Sequence, residues 1–329
     1  MSITGIESLV YGVDDVATAT RFFEDFGLPI AGKSEASARF VLAEGSSVVL
    51  LHRDDPVLPV TTMVGGGVRE IIWGVDSAQA LDAYVERLRG VVEVRRDDDG
   101  TAHFVAPFGV AMGLRLWRRK PVLYAPDPVN APGRVNRFNQ HRKWRERARP
   151  KVISHAVWAI PDFEAGYQFM RDMLDFRLAD RQRGVGVYLR ADGSNNHHSI
   201  FFINANAPTP GMDGQVRFHH ANFGVEDIDE IMTGANHMVR KGWEASHWGL
   251  GRHRIDSALF YYIPCPAGGE AEYGADSDYI DDSWVPRDWT NPLFGVAHYM
   301  HNLPPFLIDA PEWEFRYLTE ETATAGGGH

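Results

Sequence analysis

His155, His220 and Glu272 lie far apart in the chain but at matching points of a repeated strand pattern. Two imidazoles and a carboxylate gathered on one face can hold a divalent metal such as iron(II) and leave adjacent coordination positions open. An imidazole outside that set, with an ordinary pKa of about 6.5, can pass protons in both directions near neutrality. Such chemistry requires elements that bring distant residues onto one surface.

The positioning pattern is a fourfold repeat. Four eight-residue segments, Ser8 to Asp15, Glu70 to Ser77, His155 to Asp162 and His220 to Asp227, each read as a short buried strand ending in a helix cap. Apolar residues at three- and four-residue intervals follow each segment and predict an amphipathic helix. In the fourth copy they are Ile228, Ile231, Met232, Ala235, Met238 and Val239, with Gly242 expected as the C-terminal cap. The third carries Phe163, Tyr167, Met170 and Leu174; the first carries Val16, Ala19, Phe23 and Phe26 before Gly27; the second, Ala78 to Leu88, is the least regular. Beyond each helix the period falls towards two, which predicts about three strands per unit.

The chain has 329 residues, enough for two cores, so the units group in pairs. The expected fold class is α+β, with residues 1–140 and 150–280 each a pair of βαβββ modules and the active site in the second pair. Residues 281–329 form an aromatic-rich extension expected to pack on the domains, fraying only over Thr322 to His329. The join falls in Arg118 to Lys151, where Pro121, Pro126, Pro128 and Pro132 break the periodicity.

The formal charge of −11 and pI near 5.7 argue against nucleic acid or an anionic membrane surface as a partner. The single cysteine, Cys265, cannot close an internal disulfide, and between Pro264 and Pro266 it is expected to be structural rather than nucleophilic. No apolar run reaches the roughly 18 to 20 residues of a membrane span, and no leader precedes Ser8, so a cytoplasmic location is the expectation.

His155 and His220 open the first strands of copies three and four, so pairing of those strands would aim both imidazoles inward. Glu272, after the bend at Pro266 to Gly269, could join them from a neighbouring strand. The matching N-terminal positions are Ser8, Glu70 and Gly113, which cannot build the same site. His219, next to His220, is expected on the opposite face of an extended strand, in a supporting or packing role.

Gly251 to Gly274, with Gly-Arg-His at its start and Glu-Tyr-Gly at its end, resembles the signature of the type I extradiol ring-cleaving catechol dioxygenases of the vicinal oxygen chelate superfamily. The fourfold repeat extends the superfamily resemblance over residues 1–280. By position the resemblance implies His155, His220 and Glu272 as metal ligands and His253 and Tyr262 as active-site hydrogen-bonding groups. Asp256 becomes a pocket residue. His197-His198-Ser199 matches a His-His-Thr segment, implying His198, with His197 as the fallback, as the acid–base residue. Tyr262 rather than Tyr261 follows from counting from both His253 and Glu272. Trp158, Phe223, His247, Trp248, Ile255 and Arg254 are candidate substrate-pocket residues, Arg254 a possible partner for an anionic substituent. The segment from Pro286 to Pro305 is a candidate cover for the pocket mouth.

The activity implied is extradiol cleavage of a substituted catechol by dioxygen at non-haem Fe(II), with Mn(II) an acceptable substitute and no organic cofactor, in the catabolism of aromatic compounds. The family also implies a homo-oligomer. Arg254 and Ile255 replace the usual small polar and Asn residues, Cys265 replaces a usual Thr, and the loop Ala205 to Gln215 is longer than typical, so the ring substituent stays open. The alternatives are a metal-dependent isomerase, epimerase or lyase of the same superfamily, which usually adds a fourth protein ligand, and a non-catalytic small-molecule binding protein.

Overall fold

Each of the four predicted units forms as one strand, one helix and three strands. The computed structural model describes residues 2–207, 211–290, 295–307 and 316–318. The first unit is β1 (Ile3–Val13), α1 (Val16–Phe26), β2 (Ile30–Lys33), β3 (Ser37–Val41) and β4 (Ser47–His52). The second is β5 (Gly67–Val75), α2 (Ala78–Arg89), β6 (Arg95–Arg96), β7 (Ala102–Val105) and β8 (Ala111–Leu116). The third is β9 (Val152–Ile160), α3 (Phe163–Leu174), β10 (Arg177–Gln182), β11 (Gly186–Arg190) and β12 (Ile200–Asn204). The fourth is β13 (Arg217–Gly224), α4 (Ile228–Arg240), β14 (Gly251–Arg252), β15 (Leu259–Pro264) and β16 (Glu270–Ala275).

The last residue of each repeated segment starts the helix. Asp15, Ser77, Asp162 and Asp227 accept hydrogen bonds from the backbone N–H three residues on, satisfying a donor that the first helical turn leaves unpaired. Gly27 ends α1 in the left-handed region with φ of 103°. The expected cap of α4 is displaced by one residue: Lys241 caps it in right-handed helical geometry, and Gly242 takes the positive φ beyond it.

The units pair about pseudo-twofold axes. β1 and β5 join antiparallel to make an eight-stranded sheet in the order β2-β3-β4-β1-β5-β8-β7-β6. β9 and β13 do the same in the larger sheet, which gains β17 (Arg287–Trp289) on β10, β18 (Tyr299–Met300) on β14 and β19 (Arg316–Tyr317) on β17. Residues 281–307, where described, thus extend both edges of that sheet. The expected fraying of Thr322 to His329 lies outside the described residues.

The core runs without a break between the two sheets. On α1, Phe26 stacks on Tyr273 at 4.0 Å between centroids and meets Phe223 edge-on at 5.3 Å, while the Tyr273 hydroxyl donates to the Phe26 carbonyl at 2.7 Å. Trp73 packs against Phe176, and Tyr11 against Phe218. Backbones also meet: a Cβ on Gly268 would stand 2.2 Å from the Gly66 carbonyl carbon, and its φ of 107° suits glycine alone. The connection between the sheets contains no helix; a bridge between Ala131 and Arg134 is its one ordered turn among the described residues.

One buried carboxylate ties the halves together at the strand that carries His155. Glu44, 1 % exposed, accepts from the Ile153 N–H at 2.8 Å and the Ser46 hydroxyl at 2.9 Å on one oxygen, and from Arg119 Nε at 2.7 Å on the other. Removing it would leave Arg119 Nε and a strand N–H without their acceptor. Glu44→Ala should therefore lower stability by about 3 kcal/mol, read as a fall in the urea midpoint, because breaking a buried pair strands its partner.

Candidate metal centre

Three strands side by side carry the candidate ligands. Antiparallel β9 and β13 place His155 opposite Asn222, and parallel β13 and β16 place Asn222 opposite Glu272, so these positions lie in one row across the sheet. On the same face two positions further along β13, His220 completes the group. The row needs close backbone approach at its end, since a Cβ on Gly274 would come within 2.2 Å of the Asn222 amide nitrogen.

His155 Nε2 and His220 Nε2 are 3.3 Å apart, and Glu272 Oε2 lies 3.4 Å from the first and 3.3 Å from the second. Donors about 2.1 Å from one ion at right angles would stand about 3 Å apart, so the triangle fits a divalent cation. The Glu272 oxygen is buried and has no hydrogen-bond partner, a costly condition that a cation relieves. Among the described residues this group holds three donors, with no fourth histidine, cysteine, aspartate or glutamate joining them.

Burial keeps His220 in its ligating form. Desolvation, reinforced by His219 and His155, holds His220 well below its ordinary pKa and hence neutral. His219 Nδ1 is 2.7 Å from His220 Nδ1, and burial pushes the His219 pKa down to about 4. A neutral His219 accepts the His220 Nδ1 proton and leaves the His220 Nε2 lone pair for a metal. Simple strand alternation had placed His219 on the far face; the bulge between Phe218 and His220 turns its ring edge towards His220.

Around the triad stand the expected hydrogen-bonding groups. The His198 ring lies 4.1 Å from that of His155, and its Nδ1 is 3.9 Å from Asp256 Oδ2. Burial, with the neighbouring imidazoles, holds the His198 pKa well below ordinary. Tyr262 lies 5.0 Å from His220 between ring centroids, and its hydroxyl is 3.1 Å from His253 Nε2. His253 Nδ1 meets the Val296 carbonyl, which can only accept, so Nδ1 carries a proton and, in the neutral ring, Nε2 accepts from Tyr262. Tyr261 packs into the core between the sheets, so the strand sends Tyr262 alone to the site face.

The proposed pocket wall divides. Ile255 joins the apolar cluster on the site face with Val157, Ala159, Phe201 and Ile203. Trp158 and Phe223 are instead fully buried in the core between the sheets, because alternation turns them away from His155 and His220. The His247 side chain is 69 % exposed beside Glu244, so it does not line the site. Trp248 belongs to the same loop, its carbonyl accepting from Asn302. Arg254 donates to the Ala297 carbonyl and is engaged with the C-terminal segment. That segment reaches His253 and Arg254 as the expected cover would, although residues 291–294 are outside those described.

Sequence reasoning missed Asp180, Tyr188 and Arg287. Tyr188 meets the His198 ring edge-on at 5.0 Å, and Asp180 is paired with Arg287 across 107 residues of sequence. No motif marks them; an acid on an inward strand position was the available signal. Cys265 is buried and its thiol is pushed up to about 12 by desolvation, in keeping with a structural role.

The N-terminal sheet repeats the register with other residues. Ser8 is opposite Ile72, and Ile72 opposite Gly113, so Ser8, Glu70 and Gly113 occupy the places of His155, His220 and Glu272. His103, opposite Gly113, holds the place of Tyr262, and its Nδ1 lies 2.7 Å from Glu70. An acid–imidazole pair thus fills the corresponding position.

Residues 152–261 match the family model described as the Glyoxalase/Bleomycin resistance protein/Dioxygenase superfamily. The chain is 27 % identical to Metapyrocatechase 2 of Cupriavidus necator over 328 residues, covering 96 % of this chain and 92 % of that protein. It is 33 % identical over 151 residues to the iron-dependent extradiol dioxygenase of Rhodococcus jostii strain RHA1, covering 42 % of this chain and 48 % of that one. The Mn(II)-bound glyoxalase from Novosphingobium aromaticivorans shares the fold, with a TM-score of 0.68 at 22 % identity over 90 % of this chain and 91 % of that structure.

Glu272→Gln should weaken Fe(II) or Mn(II) binding by more than about 100-fold in calorimetric titration while the unloaded protein keeps its fold by circular dichroism. Equal affinity in the variant would remove Glu272 from the ligand set.

Proposed function

We propose that this superfamily domain cleaves a catechol ring beside its two hydroxyls, using dioxygen at an Fe(II) held by His155, His220 and Glu272, with Mn(II) as an acceptable substitute. The single observation carrying the proposal is the three-donor triangle bordered by His198, His253 and Tyr262. When bound, the metal supplies a common coordination sphere for substrate and dioxygen and overcomes the spin barrier between them. The relatives named metapyrocatechase and extradiol dioxygenase support the same activity.

The surrounding residues divide the remaining work. Because the Tyr262 O–H donates to His253 Nε2, the phenolic oxygen keeps its lone pairs for a substrate hydroxyl proton. His253 is held in that orientation by the Val296 carbonyl. His198, neutral through burial, is the group that takes and returns a proton over the substrate ring. Val157, Ala159, Phe201, Ile203 and Ile255 supply an apolar surface that suits an aromatic substrate and keeps water from the reacting atoms. A superfamily isomerase or lyase is the second reading; that no fourth histidine, cysteine, aspartate or glutamate joins the group among the described residues favours ring cleavage over it.

Anaerobic loading with Fe(II), addition of a substituted catechol and admission of air should give oxygen uptake and a yellow ring-opened product. His198→Gln should lower kcat by about 100-fold or more with substrate affinity retained, the range expected for loss of general acid–base help. Wild-type protein that binds iron and catechol yet consumes no oxygen would refute the proposal.

Self-association is part of the same proposal. The connection between the sheets exposes Leu123 at 89 %, Phe138 at 80 % and Trp144 at 88 %, with Tyr124, Val129 and Val135 also exposed. Each aromatic offers about 150–250 Å², so this one arm places in water as much apolar area as the largest patch of a typical monomer. Light scattering should find an oligomer, and Phe138→Asp combined with Trp144→Asp should shift it to a smaller mass. A monomeric wild type would rule this out.

A further inference from the structure

A chain of buried polar contacts runs from the C-terminal segment to His198. Arg287, on β17, donates from Nε to both oxygens of Asp180 at 3.1 Å and from a terminal nitrogen to Asp180 Oδ2 at 2.5 Å; its backbone N–H donates to Oδ1 at 2.8 Å. Asp180 is fully buried, and its Oδ2 also lies 3.1 Å from His197 Nε2. His197 Nδ1 lies 3.2 Å from His198 Nδ1. Trp284, which the Arg287 guanidinium overlies at 4.7 Å, presents its ring edge to His197 and is anchored by donating to the Ala179 carbonyl at 2.8 Å.

We infer that Arg287 and Asp180 are positioning residues that set the tautomer of His198 through His197. The inference rests on the proposed role of His198 at the metal centre. An arginine has only donors, so every Asp180 oxygen it touches accepts. An Asp180 oxygen in that arrangement can only accept from His197 as well, which places a proton on His197 Nε2 and, in the neutral imidazole, leaves Nδ1 bare. A bare Nδ1 at 3.2 Å requires His198 to donate from its own Nδ1, a choice that Asp256 Oδ2 at 3.9 Å reinforces. Neutral His198 therefore keeps its lone pair on Nε2, the nitrogen turned away from these partners.

The consequence is a division of labour between the two imidazoles of the His197-His198 pair. His198 is the proton acceptor, and His197 is the switch that decides which of its nitrogens accepts. The C-terminal segment then does more than cover the sheet edge: it sets two site imidazoles from opposite sides, His198 through Arg287 and His253 through the Val296 carbonyl. The same geometry argues against a second cation among His197, His198 and Asp256, whose ligand atoms lie within 4.8 Å of one another, because that site would need both Nδ1 atoms bare.

The test combines ring-nitrogen NMR of the full-length, histidine-labelled protein, loaded with diamagnetic Zn(II), with kinetics of the Fe(II) form. Wild type should show protonated Nε2 on His197 and protonated Nδ1 on His198. Asp180→Asn should convert both to tautomer mixtures. It should lower kcat about 10- to 100-fold, the usual cost of losing such a supporting contact, with KM and iron content within twofold of wild type. Arg287→Gln should act likewise and Arg287→Lys should recover part of the loss. A proton on His198 Nε2 in wild type, unchanged tautomers in Asp180→Asn, or uptake of a second Zn(II) by His197 and His198 would overturn the inference. A wild type that cleaves no catechol would instead sink the proposed function and leave the tautomer measurement standing.

Discussion

The antiparallel pairing of β9 with β13 is the constraint on which the candidate site depends. That pairing makes two units share one sheet, and the parallel partner β16 then brings Glu272 level with His155 across Asn222. Because side chains alternate along a strand, a one-residue slip in either ladder would send a ligand into the core and a core residue into the site. Register is held on the other face, where Ala156, Trp158, Ala221, Phe223 and Tyr273 pack into the core between the sheets. The apolar face of the sheet therefore holds the face that carries the candidate ligands in register.

The N-terminal half shows what that scaffold does without ligands. It keeps the same register but carries Ser8, Glu70 and Gly113, and the Glu70 carboxylate there has His103 Nδ1 as a partner at 2.7 Å. In the C-terminal half the Glu272 oxygen is left without a hydrogen bond beside the neutral His220 imidazole. A protein interior tolerates an unmatched carboxylate only at a cost of several kcal/mol or with a compensating charge. The contrast between a carboxylate paired with an imidazole in one half and an unpartnered carboxylate oxygen in the other is the physical case for a cation beside Glu272.

Buried charge recurs wherever segments distant in sequence must meet. Glu44 joins the first unit to the start of β9, Asp180 joins β10 to the C-terminal segment, and Glu230 receives Lys151 at 2.7 Å where the connection between the sheets enters β9. Each is a carboxylate with its lone pairs occupied, so each favours one arrangement of backbones over its neighbours. Two of the three hold the strand bearing His155, and the third lies behind His198.

Local physics was legible in the amino-acid order: strand alternation, helical stripes and the caps at Asp15, Ser77, Asp162 and Asp227 all act within a few residues. Position within the repeat was enough to single out His155, His220 and Glu272, because equivalent points on equivalent units must fall on equivalent faces. Tertiary structure decided what depends on contacts across long separations. Trp158 and Phe223 turned out to face the core, since alternation from His155 and packing against the N-terminal sheet leave them no other side. A bulge turned His219 back towards His220, and Arg287 found Asp180, neither of which any local pattern encodes. The sequence by itself determined the units and pointed to the candidate donors; only the folded chain decided their neighbours, because desolvation and hydrogen-bond direction exist only once distant segments have met.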